Sequence, residues 1–499
     1  MKQKPFTKVL IANRGEIAVR IIRACRELGL ETVAVYSDAD RTSLHVRMAD
    51  EAVSLGDSHP RESYSNAEKL IQASVKTHSR AVHPGYGFLA ENRDFAVACR
   101  EAGLVFIGPS PTTLGKTGDK EEAKRIVSEA GVPLIPGSHE AVRDVEDALR
   151  EARQIGFPVL LKASMGGGGR GMRRAGSPQE LTAHFDGAQS EARLAFGDPR
   201  IYVEKCLIAP RHIEFQILAD GEGRIIHLGE RECSLQRRFQ KLVEESPSPI
   251  MDEDLRQRMG EAAVRAATAA GYVGAGTVEF LVDEYRNFYF MEINARIQVE
   301  HPVTEMVTSV DLIAEQIKVA QGHPLSFGQG EVHPKGWAIE ARINCEDPFR
   351  DFVPSPGKIQ GLRIPGGFGV RFDTAMYPGY AVPEFYDSLV GKLIAWGHTR
   401  EEARSRLIRA LGELEIAGIP TTAPFLMQLL GDPAFISGNI STTFLSEYHP
   451  PVHEATPGDE EMASIVAALE AQRQVVPPDG DGHPNLWSLA GRVAQFRKW

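Results

Sequence analysis

Lys8-Val-Leu-Ile-Ala-Asn-Arg-Gly-Glu-Ile-Ala-Val-Arg-Ile-Ile-Arg-Ala-Cys-Arg-Glu-Leu-Gly-Leu-Glu-Thr-Val-Ala-Val-Tyr36 is the stretch that decides the fold. Val9 to Ala12 is a short apolar run. After Asn13-Arg14-Gly15, the residues Ile17, Ile21, Ile22, Cys25 and Leu28 recur at helical spacing until Gly29. Thr32 to Tyr36 then reads as a second strand, and strand, helix, strand predicts a right-handed parallel unit. The pattern continues through Arg80-Ala-Val-His-Pro-Gly-Tyr-Gly, a helix near Asn92 to Ala102, and Val105-Phe-Ile-Gly-Pro-Ser. These predict one doubly wound α/β domain ending near residue 115.

Beyond it the character changes. From about 116 to 330 come a helix start at Asp119-Lys120, a Gly-rich loop at 166 to 171, and strands such as Glu214-Phe-Gln-Ile-Leu and Thr277-Val-Glu-Phe-Leu-Val. Strands with few intervening helices imply antiparallel sheet, hence an α+β region. From about 331 to 447, strand-like pieces with Pro/Gly turns precede a helix from Glu401 to Leu414. The remainder, from Pro450, reads as a linker and docking tail with a helical stretch near Glu460 to Gln474. At about 150 residues per domain, 499 residues also suggest roughly three units.

The composition, 42% hydrophobic and 25% charged, is that of an ordinary soluble chain. A net charge of −11 provides no global positive field for a nucleic-acid backbone or an anionic membrane, so any phosphate must meet a local site. The five cysteines include no Cys-x-x-Cys, which disfavours a disulfide scaffold or a thiolate zinc site and fits a reducing cytosol. The apolar run at the N-terminus ends at Arg14 and Glu16, too short for a signal sequence, and no segment approaches the ~18 apolar residues of a membrane span. The expectation is a cytoplasmic protein.

Three constellations carry chemistry. Lys162-Ala-Ser-Met-Gly166-Gly-Gly-Gly-Arg170-Gly171 follows the apolar strand Phe157 to Leu161, placing a cation and free backbone N–H groups where they can close on phosphate oxygens. It matches neither common nucleotide fingerprint, and alone it is equally a surface loop. Thr277 to Asn294 reads as two strands about a polar turn. If Asp283 pairs with Phe288, Glu279 lies across from Glu292, and Glu292 and Asn294 share a face. Two carboxylates and an amide oxygen then suit a divalent cation such as Mg²⁺; read alone the segment is equally an exposed hairpin with solvated acids, a reading the neighbouring Gly-rich loop disfavours. Finally, in Asn294-Ala-Arg-Ile-Gln-Val-Glu-His-Pro302, the residues Arg296, Gln298 and Glu300 alternate toward one strand face, a fork, an amide and a base for a small planar oxyanion. A solvated strand face is the plainer alternative, and His301 reads as a structural histidine at a turn. In the charged run Glu230 to Glu245, Lys241 either reaches a phosphate or pairs at the surface, and Cys233 reads as packing.

These residues, in this order, resemble biotin carboxylase, the ATP-grasp component of acetyl-CoA, propionyl-CoA and pyruvate carboxylases. The resemblance runs from about residue 5 to 447. It rests on Asn13-Arg-Gly-Glu-Ile-Ala, His83-Pro-Gly-Tyr-Gly-Phe-Leu-Ala-Glu-Asn, the Gly-rich loop, Arg296-Ile-Gln-Val-Glu-His-Pro-Val-Thr-Glu and Tyr386-Asp-Ser-Leu-Val-Gly-Lys-Leu-Ile. It implies a Rossmann-like pre-ATP-grasp domain (1–115), an ATP-grasp domain (116–330) with a mobile lid at about 134–206, a biotin carboxylase C-terminal domain (331–447) and a tail (448–499). The implied reaction is ATP plus bicarbonate plus biotin giving carboxybiotin, ADP and phosphate. Lys120, Lys162, Gly168, Gly169, Glu204, Lys205, Leu207 and His212 fall where the family binds ATP, with Glu279 and Glu292 beside them. Glu279, Glu292 and Asn294 fall on its Mg²⁺ or Mn²⁺ ligands. Lys241, Arg296, Gln298, Val299 and Glu300 fall on its bicarbonate site, and Arg342 matches the arginine near the biotin ureido group. The implied catalytic set is Arg296, Glu300, Lys241 and Arg342.

The sequence departs from the family pattern at Phe239, where a histidine is usual, at Met165, replacing a loop glycine, and at Ala295, replacing a threonine. It has no Met-Lys-Met biotinylation motif, so biotin is expected on a separate carrier chain or domain. The final CO₂ acceptor is not encoded in the recognisable part. Arg23, Glu27, Phe368 and Arg371 match twofold-interface positions, which implies a homodimer. Trp487 and Trp499 suggest either that the tail packs back on its own subunit or that it docks a carboxyltransferase or carrier subunit, the latter slightly favoured. Two other readings are a carbamoyl-phosphate-type synthetase, against which the Arg342 segment and the Tyr386 motif argue, and an inactive scaffold, against which the intact acid and base set argues.

Overall fold

The computed structural model describes residues 6–138, 140–163, 172–196, 198–450 and 464–465. Residues 1–449 form one compact unit and 450–499 a second. The helical stretch read near Glu460 to Gln474 and the tail tryptophans lie outside the described residues, apart from Ser464 and Ile465, which are helical.

The opening strands behave as their periodicity predicts. β1 (Lys8–Ile11), β2 (Glu31–Ser37), β3 (Glu51–Gly56), β4 (Ala81–His83) and β5 (Val105–Phe106) form a parallel sheet in the order β3-β2-β1-β4-β5. The helix Gly15–Glu27 buries Ile17, Ile21, Ile22 and Cys25 against Val9 and Ile11, while Leu10, Val33 and Val82 meet a separate core on the opposite face. Truncating Ile21 to Ala would cost about 2–5 kcal/mol. β3 and the helix Ala67–Lys76, which Asn66 caps by accepting from the Lys69 N–H, complete the unit beyond what the apolar pattern predicts.

A small antiparallel sheet follows, β6 (Val159–Ala163), β7 (Met172–Ala175) and β8 (Ile201–Lys205), in the order β7-β6-β8. It packs on the helices Val145–Ile155 and Pro178–Phe196 around its own core of Val159, Leu161, Leu181 and Val203. The remaining strands are β9 (Arg211–Ala219), β10 (Ile225–Arg237), β11 (Gln240–Ser246), β12 (Gly274–Val282), β13 (Phe288–Asn294), β14 (Trp337–Asn344), the short β15 (Glu346–Asp347), β16 (Val353–Pro354) and β17 (Gly361–Arg363), then β18 (Val370–Thr374), β19 (Leu389–Gly397) and β20 (Glu415–Ala417). Eight of these make one antiparallel sheet, β13-β12-β9-β10-β11-β14-β19-β18, which takes strands from both sides of residue 330. The helix Arg400–Glu413, capped by Thr399, buries Ala403, Leu407, Ala410 and Leu411 in a core that also holds Ile339 and Leu393. The architecture is mixed α/β and α+β, as expected.

One register differs from the sequence reading. Val282, not Asp283, pairs with Phe288, and the Asp283 N–H donates to Asn287 inside the turn. An irregularity between Glu279 and Phe280 takes up the extra residue, so Glu279 still faces Glu292.

Candidate active site

On β9, polar residues alternate strictly with apolar ones, His212-Ile-Glu214-Phe-Gln216, and this period of two turns a charged face away from the core. Neighbouring strands add to it. Lys241 on β11 lies 2.7 Å from Glu214 Oε2, 3.0 Å from Glu279 Oε1 and 2.6 Å from Glu300 Oε1. Arg231 on β10, fully buried, pairs with Glu214 and donates to Gln216 at 2.7 Å, Thr304 at 2.9 Å and Thr277 at 3.1 Å. Arg342 on β14 donates to Glu244 Oε1 at 2.6 Å and Glu300 Oε2 at 2.9 Å. Arg231, Lys241 and Glu244 thus belong to a buried lattice, although the turn at Arg238 to Gln240 is exposed, and this removes the surface-pairing reading of Lys241. Cys233 is fully buried and its thiol is pushed well above the usual range by burial, as packing requires.

This lattice sets the charge state of Glu300. Burial alone would raise its carboxyl, but Lys241, Arg342 and Arg231 outweigh that and hold it well below the usual carboxylate range. Glu244 has less cationic help, and burial pushes it up to about 7. Lys241 is raised, its acidic neighbours overcoming the lowering effect of burial.

The segment 295–300 is not a strand. It is irregular backbone ending in a turn, and Glu300 caps the helix His301–Thr308, whose first residue is His301. The alternating-face reading of Arg296, Gln298 and Glu300 is overturned, because Pro302 at the second helical position fits a helix start. The three side chains still converge, by individual contacts. Arg296 donates to Glu91 at 2.9 Å and to Asn294 at 3.0 Å, and Gln298 donates to Glu279 Oε1 at 3.0 Å. Glu91 also accepts from the Ala295 N–H at 2.8 Å.

Glu279 and Glu292 face each other across β12 and β13. Burial and the Glu279 charge raise the Glu292 carboxyl, whereas Lys241 and His212 override burial at Glu279 and lower it. His212 Nε2 sits 3.0 Å from Glu279 Oε2 without hydrogen-bond geometry. Ligand atoms of His212, Glu214 and Glu279 lie within 4.8 Å of one another, but Arg231 and Lys241 already neutralise Glu214. The carboxylate in need of a cation is Glu292. Two carboxylates and Asn294 Oδ1 are hard oxygen donors, and these residues fit Mg²⁺ or Mn²⁺.

Toward the small sheet, Lys162 and Lys124 both pair with Glu204, holding its carboxyl below the usual range although burial works the other way. The Lys205 ammonium donates to the carbonyls of Gly156 and Phe157. Phe239, exposed at the turn between β10 and β11, has φ of +66°. Gly168, Gly169 and Met165 lie outside the described residues. Every other site residue named from the sequence lines one open cleft of about 1700 Å³: Lys120, Lys162, Glu204, Lys205, Leu207, His212, Lys241, Glu279, Glu292, Asn294, Arg296, Gln298, Val299, Glu300 and Arg342. That exceeds the roughly 300–1,000 Å³ of a single-ligand pocket and leaves room for more than one substrate. Sequence reasoning missed Glu91, Glu214, Arg231 and Glu244. The alternation on β9 was a usable signal for Glu214.

The comparisons with known proteins agree with this geometry. Residues 5–114 match the biotin carboxylase N-terminal domain, 119–327 the ATP-binding domain of the carbamoyl-phosphate synthase L chain, and 340–447 the biotin carboxylase C-terminal domain. A pyruvate carboxylase subunit from Methanothermobacter thermautotrophicus is 51% identical over 92% of this chain and 92% of its own. The biotin carboxylase domain dimer of Hydrogenobacter thermophilus 2-oxoglutarate carboxylase, solved with MgADP, ADP and bicarbonate, is 48% identical with a TM-score of 0.84, over 89% of this chain and 98% of that one. Biotin carboxylase 1 of Bacillus subtilis is 55% identical over 442 residues, 88% of this chain and 98% of the relative, and with all three domain matches in order the chain belongs to the biotin carboxylase family.

Proposed function

We propose that this cleft carboxylates biotin with bicarbonate at the expense of ATP, through carboxyphosphate. The observation that carries the reading is Glu300, a buried carboxylate gripped by Lys241 and Arg342 at the wall of a cleft whose other end holds Lys120, Lys162 and Lys124. ATP lies against Lys120, Lys162, Glu204, Lys205, Leu207, His212 and the loop carrying Gly168 and Gly169. Glu279, Glu292 and Asn294 would hold Mg²⁺, which supplies charge neutralisation on the phosphate oxygens. Bicarbonate lies against Lys241, Arg296, Gln298 and Val299. Its negative charge competes for Lys241, loosens that lysine's hold on Glu300 and raises the basicity of the carboxylate toward what a general base needs. Glu300 then takes the bicarbonate proton as oxygen attacks the γ-phosphate. Carboxyphosphate breaks to CO₂ and phosphate. Phosphate deprotonates biotin N1′ while Arg342 stabilises the ureido oxyanion, and the nitrogen captures CO₂.

The separate core of the small sheet supports its reading as a lid over about 134–206, closing to keep water from carboxyphosphate. The domain limits 1–115, 116–330, 331–447 and 448–499 are likewise our reading, supported by the spans of the family matches. We propose a homodimer within a larger carboxylase, with biotin arriving on a carrier protein or domain and CO₂ leaving through a carboxyltransferase subunit. Exposed Arg23, Glu27 and Phe368 support the dimer, as does the dimeric Hydrogenobacter domain, while Arg371 is engaged within the chain by Glu305 and Asp373. No helix among the described residues is long and apolar enough to cross a membrane, and we place the protein in the cytoplasm. The decisive assay is bicarbonate-dependent ADP release with free biotin, with ammonia as a competing acceptor. Stimulation by biotin supports the reading. Stimulation by ammonia selects a carbamoyl-phosphate-type synthetase, and no turnover selects a scaffold.

A further inference from the structure

Three sequence motifs contribute no group to this chemistry: Asn13-Arg-Gly-Glu16, His83-Pro-Gly-Tyr86 and Ser388-Leu-Val-Gly-Lys392. They meet in one place. Lys392 on β19 is fully buried, and its ammonium lies 3.1 Å from Glu16 Oε1 and donates at 2.7 Å to the carbonyl of Val299. The Tyr86 hydroxyl donates to the same Glu16 oxygen, and the Tyr86 ring centroid is 6.0 Å from the ammonium. Buried Asn13 donates from Nδ2 to the carbonyls of Pro84 and Tyr86 at 2.7 Å each. Between those two residues Gly85 has φ of +62°, and a Cβ there would come within 3.0 Å of the same Nδ2.

Burying an ammonium completely is expensive, and a buried ion pair is weak grounds for stability because apolar residues of similar size do as well. What Lys392 holds explains it better. Residues 298–300 have no strand ladder, and Glu300 caps its helix without a side-chain cap bond. Among the described residues, the only backbone bonds there are long, from the His301 N–H to the Gln298 carbonyl and from the Val303 N–H to the Glu300 carbonyl, each at 3.4 Å, and side chains supply shorter ties. His301 Nδ1 lies 2.7 Å from the Gln298 carbonyl, and Lys392 grips the carbonyl of Val299, whose peptide carries Glu300.

We propose that Lys392 is a positioning residue for the bicarbonate step: from behind the cleft it clamps the Val299 carbonyl and fixes the peptide bearing Glu300, with Glu16 as its counter-ion and Tyr86 and Asn13 steadying that counter-ion. The proposal rests on the reading of Glu300 as the base that activates bicarbonate. It assigns the three motifs a common task, since each supplies one part of a support reaching the active site at one backbone oxygen.

The test compares Lys392→Arg with the double variant Lys392→Met, Glu16→Gln, in which neither buried charge is left alone. The double variant should bind ADP as the parent does, yet lose on the order of 10-fold or more in kcat and show a raised KM for bicarbonate with KM for ATP unchanged, the pattern of a misplaced base. Lys392→Arg, which keeps charge and donors but changes their reach to the Val299 carbonyl, should recover part of the loss, and if the double variant does not fold, Lys392→Arg alone should still show a raised KM for bicarbonate with KM for ATP unchanged. Parent-like kcat and bicarbonate KM in a folded variant overturn the proposal, and so does an equal rise in both KM values, which marks general loosening. Glu300→Gln is run beside them. If it turns over normally, the base assignment falls and this inference with it; if it is slow while the Lys392 variants are not, this inference alone falls.

Discussion

The two ends of the cleft handle charge differently. On the large sheet, the Lys241 and Glu300 side chains are 12% and 3% exposed and each is ringed by opposite charges. On the small-sheet side, Lys162 and Lys124 are 28% and 44% exposed and share the single carboxylate of Glu204. Water-screened pairs contribute little and exchange readily, whereas buried ones are held by everything around them. The difference teaches a division of labour. The large sheet is a pre-set floor whose charges must be partly released by substrate, and the other end offers two half-exposed lysines, Lys162 on β6 and Lys124 on the helix Lys120–Glu129, that share one buried carboxylate and face the cleft where a phosphate can reach them.

The comparison breaks most visibly at Glu300. Glu300→Gln should lower kcat by ~10²-fold or more, the scale of a general base, with ATP affinity retained. A titration in which ATP affinity falls in parallel would move Glu300 to the nucleotide end. Arg342→Ala should cost biotin carboxylation about 10²-fold more than bicarbonate-dependent ATP hydrolysis without biotin, the order expected for one lost donor to a developing oxyanion. Equal losses in the two assays would assign Arg342 to the shared bicarbonate step. Lys162→Gln should raise KM for ATP by roughly 10-fold and leave the KM for bicarbonate alone, as expected of one charge-assisted phosphate contact. A matching rise for bicarbonate would show that the two ends are not separable.

The smallest effect is a pH slope. Glu244, raised to about 7 by burial, keeps a proton that an unfolded glutamate near about 4.3 gives up. Folding therefore takes up a proton between those values, so this group's contribution is full below about 4.3 and is lost as pH rises through about 7. The Tm of the parent should fall relative to Glu244→Gln by on the order of a few degrees from pH 5 to 8. A flat difference would mean that Arg342 keeps Glu244 ionised throughout.

Local patterns were legible and distant pairings were not. The spacing of Ile17, Ile21, Ile22 and Cys25 predicted the first helix because periodicity reports burial within one element. Glu279 and Glu292 were matched across a hairpin, a short-range inference that survived the shift to Val282–Phe288 pairing. Arg296, Gln298 and Glu300 read as a strand face because alternation persists in irregular backbone, where it has no structural meaning. Glu91, Arg231, Glu244 and Lys392 are not legible in the sequence because their partners come from strands, helices and loops remote in the chain, and a charge reads as solvated until its neighbours are known.

That remoteness bears on how the protein is made. Lys392 lies 93 residues beyond Val299, and Arg342 lies 42 beyond Glu300. At about 5–20 residues per second of synthesis, the segment bearing Glu300 waits roughly 5–20 s for its last cation. For roughly the first half of that interval Glu244 and Glu300 lack Arg342 and β11 presents an open edge where β14 belongs, and β19 is missing until its end. The emerging chain is thus exposed to chaperones and to mispairing between nascent copies until residue 397 has left the ribosome, and slowing translation just before β14 would lengthen the most aggregation-prone phase of its synthesis.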